Sequence, residues 1–218
     1  LGTGVTNLRP ELEGNIRTTM EQTALQDEVF LLDGKKRIDL AEKQGMFNCK
    51  RKSLWIIQNN GFAYTLLPQY SSVASYSIET KPNEWLKRNL TNKGNSNLPD
   101  SAAIFRLWVD HGRNVRNGNY GYAVYCGEGM PDKKMPFTVL RNDTLVQAVA
   151  STDSKIIAAS FYSTGENIVI GKKEISVSEP CALLIEQDEE GITFSVTDAR
   201  MEETVKQIVI NYGRQKVV

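Results

Sequence analysis

The chain has 218 residues, 40% of them hydrophobic, and its 26 Lys+Arg balance 26 Asp+Glu. That length makes one large β domain or two smaller ones, and zero net charge supplies no bulk field for nucleic acid or a membrane surface. No apolar run approaches the roughly 20 residues of a spanning helix, and a single histidine excludes a His-rich metal site.

The opening Leu1-Gly2-Thr3-Gly4-Val5 has no basic start and no long apolar stretch, so it is not a signal peptide. It reads as a chain entered in mid-domain. From there the period is mostly two. Ile16–Thr23 has the β-branched content of a half-buried strand, and Val29–Leu32 is a short apolar run stopped by a hairpin turn at Asp33-Gly34. Leu54–Gln58, Asn59-Asn60-Gly61 and Phe62–Leu67 predict a hairpin, because Asn-Gly tolerates the positive φ of a tight turn. Ser71–Thr80 is a further strand.

Lys81–Ser101 breaks the pattern with two prolines, one glycine and five asparagines. Asn83–Arg88 fits one helical turn, and the rest reads as a long loop. A loop of this length is either functional or a plain surface insertion. Trp85, Lys87, Arg88, Asn89 and Lys93 lie in it. Indole, cations and amide together suit an anionic polysaccharide, since the ring covers the apolar face of a pyranose and the cations bond its acidic groups. Trp55 and Trp108 sit in strand patterns and are read as core.

Strands resume at Ala103–Val109 and Tyr120–Cys126. His111, where a strand meets a turn, is the chain's only imidazole. With Tyr120 or Tyr122 it offers a base–acid pair, or it simply bonds backbone or a neighbouring carboxylate. Gly127–Lys134, rich in Gly, Pro and charge, is the predicted domain boundary. After it come Phe137–Leu140, Leu145–Ala150, Lys155–Tyr162, Ile168–Ile170, Ala182–Glu186, Ile192–Val196 and Val205–Ile210. Turns fall at Asn142-Asp143, Asp153, Thr164-Gly165, Gly171 and Glu189-Glu190-Gly191. This even spacing predicts a small antiparallel sandwich. Arg214-Gln215-Lys216 reads as a solvated tail.

Nucleotide-binding loops, a Gly-x-Ser-x-Gly elbow and His-Glu-x-x-His are missing from the sequence. The acidic run Glu186–Glu190 does not follow calcium-loop spacing and reads as a solvated turn. No cofactor and no metal site is expected. Cys49, Cys126 and Cys181 are far apart and odd in number, so buried thiols are expected, with one disulfide as the alternative in an oxidising compartment.

The order of these pieces resembles the C-terminal half of polysaccharide lyase family eight, especially its chondroitin ABC lyases. Leu1-Gly2-Thr3-Gly4-Val5 is similar to the family's Leu-Gly-Ser-Gly-Ile, and Arg17-Thr18-Thr19 to its Arg-Thr-Thr strand. Trp55 with Asn60-Gly61-Phe62-Ala63-Tyr64 resembles its Trp…Asn-Gly-x-Gly-Tyr hairpin. Asp110-His111-Gly112 with Tyr120-Gly121-Tyr122 resembles its Asp-His-Gly…Tyr-x-Tyr element. Phe137–Asp143 looks like the start of the family's C-terminal β domain.

The resemblance implies an all-β fold: residues 1–134 as the C-terminal part of an antiparallel β super-sandwich, then 135–218 as a smaller antiparallel β-sandwich. It implies a secreted or periplasmic bacterial enzyme that cleaves uronic-acid polymers of the chondroitin or hyaluronan type by β-elimination. The catalytic His, Tyr and Arg of such lyases lie in a helical N-terminal toroid, and a supporting Glu precedes the Leu-Gly-Ser-Gly segment. None has a counterpart here, and His111 matches a sandwich position. The implied partners are an acidic polysaccharide and an upstream helical catalytic domain of the same protein, with no nucleic acid and no membrane. The rival readings are a stand-alone carbohydrate-binding module for acidic polysaccharides and a self-sufficient lyase using His111 and Tyr120.

Overall fold

The structure is a computed structural model that describes residues 1–49, 54–58, 61–82, 101–132, 134–198 and 207–218. Among these residues every regular element is a strand, and no helix is long and apolar enough to cross a membrane. The chain divides into two compact units: Val5–Lys133, and Leu1–Gly4 with Lys134–Val218.

Strand β1 (Gly2–Val5) opens the chain. The Val5–Lys133 unit then holds β2 (Ile16–Ala24), β3 (Val29–Asp33), β4 (Lys36–Asp39), β5 (Gln44–Asn48) and β6 (Leu54–Gln58). It continues with β7 (Phe62–Leu66), β8 (Val73–Pro82), β9 (Ser101–Gly112), β10 (Gly118–Tyr120) and β11 (Tyr122–Cys126). Two antiparallel sheets result, in the orders β2-β9-β8-β5 and β11-β7-β6-β3-β4. Alternate residues of β9 point inward, so Phe105, Leu107 and Val109 pack with Ile56, Tyr64 and Leu66 in one core.

The second unit holds β12 (Phe137–Asn142), β13 (Val146–Ser151), β14 (Ile156–Phe161), β15 (Asn167–Ile170) and β16 (Lys173–Val177). After these come β17 (Cys181–Gln187), β18 (Ile192–Thr197), β19 (Ile210–Tyr212) and β20 (Gln215–Val217). Its sheets run β12-β13-β14-β17-β18 and β15-β16-β19-β20. They share a separate core that includes Val146, Ile157, Phe161, Ile175, Leu183 and Ile185. The fold is therefore all-β, antiparallel, and built of stacked sheets.

Several expectations need correction. Lys81, Pro82 and Ser101 are not loop: β8 and β9 continue pairing as far as Pro82 opposite Ser101. Asn83–Arg88, with the rest of 83–100, lies outside the described residues, as do Asn59 and Asn60 of the hairpin turn. Of the strand expected over Val205–Ile210, residues 207–209 are in no strand. Residues 199–206 are outside the described set, and pairing starts at Ile210. The basic tail is not simply solvated, because Gln215–Val217 closes a hairpin on β19 around Gly213. None of the cysteines forms a disulfide. Cys49 and Cys181 are buried as expected, but Cys126 is exposed at the end of the edge strand β11. Burial pushes the Cys181 thiol up to about 11, with Asp198 adding to the shift.

Candidate functional site

The residues that the sequence singles out fall in two places. Trp85, Lys87, Arg88 and Asn89 belong to 83–100 and lie outside the described residues, as does Lys93. His111, Tyr120 and Tyr122 are brought together at one end of the Val5–Lys133 sandwich.

β9 carries His111 at its end, and β10 and β11 carry the two tyrosines. The His111 and Tyr120 rings lie 5.9 Å apart at 57°, and Tyr120 stacks on Tyr122 at 6.3 Å. Nε2 of His111 shares a 2.8 Å hydrogen bond with Oγ1 of Thr18 on β2. Burial lowers the His111 pKa, and the neighbouring Asp110 opposes that shift. Partial burial pushes the Asp110 carboxyl up, but Asn15, the Gly112 amide and Arg17 outweigh it and hold the carboxyl below its ordinary value. The Asp110 oxygens accept from Gly112 N at 2.8 Å and Asn15 Nδ2 at 3.1 Å, and Arg17 Nε stands 3.5 Å away. These contacts anchor a strand end. The imidazole meets Tyr120 by ring packing and shares the Nε2 hydrogen bond with Thr18.

Deeper in the same sandwich, the β2 register shifts between Thr19 and Glu21 and turns the Glu21 side chain inward. There Tyr64 donates its phenol to Glu21. Burial, then this bond, raises the Tyr64 pKa far above the ordinary phenol range. The pair is a polar clasp between sheets with no mark in the sequence, because a bulge shifts the period-two pattern by one residue.

Of the two tryptophans read as core, only Trp55 is buried. Trp108 alternates with the inward Leu107 and Val109, so it faces outward from the four-stranded sheet and is half-buried. The Arg17 guanidinium lies over its ring, 5.0 Å from the centroid. At Glu186–Glu190 the acidic run closes a turn: Asp188 Oδ1 accepts from Glu190 N at 2.8 Å and Gly191 N at 2.9 Å.

Comparison with known proteins places this geometry. Residues 1–132 match the super-sandwich domain of polysaccharide lyase family 8, and residues 138–207 match that family's C-terminal β-sandwich domain. A chondroitinase-AC of Pedobacter heparinus is 30% identical over 195 residues, which are 85% of this chain and 25% of the relative. This chain thus spans about a quarter of that relative's length. A solved chondroitinase AC lyase superposes with a TM-score of 0.77 at 22% identity, covering 99% of this chain and 31% of that one. A Paenibacillus xanthan lyase superposes at 0.74 with 16% identity, covering 95% of this chain and 20% of that one. A Streptomyces coelicolor A3 chondroitin AC lyase superposes at 0.67 with 16% identity, covering 95% and 24%. The family models together span most of the chain, in the order in which its two sets of sheets occur: the chain belongs to polysaccharide lyase family 8.

Proposed function

We propose that this chain is the non-catalytic β-sandwich region of a glycosaminoglycan lyase acting on chondroitin- or hyaluronan-type polymers, and that the eliminating groups lie N-terminal to it. The observation that carries the reading is the pairing of two family matches, both to β-sandwich domains, with a share of only 25% of the chondroitinase-AC relative. The division 1–134 and 135–218 follows as the end of the central super-sandwich and the C-terminal β domain. The partners are the acidic polysaccharide and a helical catalytic domain of the same protein, and the setting is secreted or periplasmic. Trp85, Lys87, Arg88 and Asn89 are proposed to contact the glycan.

The reaction explains what such a region leaves to others. A base removes the proton from C5 of the uronate, and its electron pair becomes the C4–C5 double bond. The C4–O bond breaks, and an acid protonates the leaving oxygen. The carboxylate must be neutralised so that charge can build at C5. His111, with its depressed pKa and its bond to Thr18, anchors strands instead. Incubating the chain with chondroitin or hyaluronan while following absorbance of the unsaturated product should show no turnover. Sustained turnover abolished by His111→Ala would overturn the reading.

A further inference from the structure

The two sheets of the unit formed by Leu1–Gly4 and Lys134–Val218 present unlike outer faces. On β15-β16-β19-β20 the pairing lines up Asn167, Ser176, Asn211 and Lys216, an ordinary solvated row. On β12-β13-β14-β17-β18 the corresponding row is Val139, Val149, Ala158, Leu184 and Ser195. At about 4.8 Å between strands, this row spans about 19 Å. Beside it run Gln147, Ser160, Ala182 and Thr197 on one flank, and Ile156, Glu186 and Thr193 on the other. Along these rows of the five-stranded sheet Glu186 alone is charged. None of their residues is fully buried, and Ile156 is 48% exposed.

An antiparallel sheet covered on one side alone puts polar residues on the other, whereas apolar residues on both faces mark a sheet that is covered twice. Small side chains in the middle of this face leave an open groove of about 600 Å³, lined by Ala158, Ala182, Leu184 and Ser195 and by Leu1. The largest polar group in the groove is already engaged. The Gln147 amide donates to Asn142 Oδ1 at 3.1 Å and accepts from the Tyr162 hydroxyl at 2.9 Å. Leu1 gives the groove a direction. It is half-buried there, and burial lowers the pKa of its amino group, so a charged terminus costs more in this place than a peptide amide would. A residue bonded to Leu1 has its Cα about 3.8 Å from that of Leu1, and so starts at the groove.

We infer that this face seats the polypeptide that directly precedes Leu1 in the longer protein, with apolar side chains of that segment laid across Ala158, Ala182 and Leu184. The match covers only 25% of the chondroitinase-AC relative, so a protein of that size carries ample polypeptide beyond it. The assignment takes from the proposed function that residues precede Leu1, and goes beyond it in saying where they lie. A second copy of the chain is disfavoured, because Leu1 already forms part of the groove and any residue joined to it takes the space first. A saccharide is disfavoured by the engaged Gln147 amide and the alanines around it, and nucleic acid by a face whose one charge is negative.

The test is thiol labelling of two proteins, the 218-residue chain and the same chain preceded by its natural upstream residues. Both carry Cys126→Ser, which leaves the buried Cys49 and Cys181 as the native thiols. Ser195→Cys reports on the groove and Asn211→Cys on the polar sheet, and both positions are exposed. With a maleimide, both sites should react quickly in the short chain. In the longer protein Ser195→Cys should slow at least tenfold, while Asn211→Cys keeps its rate. Independently, Leu184→Asp should lower the melting temperature of the longer protein by several degrees more than that of the short chain, because the half-buried Leu184 becomes buried under the added segment. Four results would each overturn the inference: equal Ser195→Cys rates in the two proteins, equal slowing at both positions, equal melting shifts for Leu184→Asp, or protection of Ser195→Cys in the short chain that grows with its concentration. The last would put a second copy on the face. Chondroitin turnover is followed in the longer protein. Protection without turnover would count against the proposed function alone, and turnover without protection against this inference alone.

Discussion

Trp55 and Trp108 show how differently one residue type is used. Trp55 is 5% exposed and meets Tyr125 edge-on at 6.5 Å, whereas Trp108 carries Arg17 on an open sheet face. Trp55→Ala should cost about 3–5 kcal/mol in urea unfolding, as large core truncations do. Trp108→Ala should cost roughly 1–2 kcal/mol, for partial burial and a lost cation–π contact. Equal costs would refute the assignment of faces. His111 gives a second test at this scale. Its folded pKa lies below the unfolded value of about 6.5, so between the two the unfolded chain binds more protons. Its contribution is complete above that value and is lost as the pH falls through it. No other histidine titrates there. Unfolding free energy measured at pH 7.5 and 5.5 should therefore fall less in His111→Gln than in the parent, and an identical slope would refute this.

At the scale of the element, what could be read in advance depended on which contacts a strand uses. β2, β9, β13, β14 and β17 bury alternate residues, and their period-two patterns mark them in the sequence, whereas β6 and β7 each bury four residues in a row and are marked by short apolar runs on either side of Asn-Gly. β4 is exposed at all four positions and β20 is a short edge strand held by backbone pairing, so they leave no hydrophobic signature; β5 buries Phe47 alone, too little for a period-two pattern. β16, with Ile175 and Val177 inward, has a legible alternation between Gly171 and Pro180 that the expected strands do not include. For Trp108, aromatic type points to the core, but the alternation Phe105, Leu107, Val109 places it outside. The Glu21–Tyr64 clasp could not be read, because a bulge leaves no mark in composition. One glycine shows how tightly an edge strand is fitted. A Cβ on Gly45 of β5 would lie 2.8 Å from the Tyr76 hydroxyl and 3.0 Å from its ring, and Tyr76 is itself buried. Gly45→Ala should cost about 1–3 kcal/mol as overpacking. Adding Tyr76→Leu should make the pair less destabilised than the sum of the singles. Additive effects in chemical denaturation would show that the two do not meet.

Over the whole molecule, stability divides as the cores do. Met20, Phe105 and Leu107 belong to one cluster and Val146, Phe161 and Ile185 to another, and the two clusters share no residue. Each sandwich closes its own sheets, so the pairing of β12 to β20 takes no strand from Val5–Lys133. A unit with its own core and its own sheet partners has what it needs to fold by itself. The turns support this independence from within. Asp143 Oδ1 caps the β12–β13 turn by accepting from Leu145 N at 2.8 Å and Val146 N at 2.9 Å, and Arg141 ties Asp143 to Glu166. Residues 134–218 expressed alone should therefore give a strand-type circular dichroism spectrum and a cooperative melt. Calorimetry of the full chain should show two transitions, one of them matching the fragment's apart from a small shift for the missing Leu1–Gly4. Asp143→Ala should lower that transition by an amount worth about 1–2 kcal/mol and leave the other in place. A fragment that stays unfolded, or a single transition in the full chain that Asp143→Ala moves as a whole, would mean that the two cores are one cooperative system.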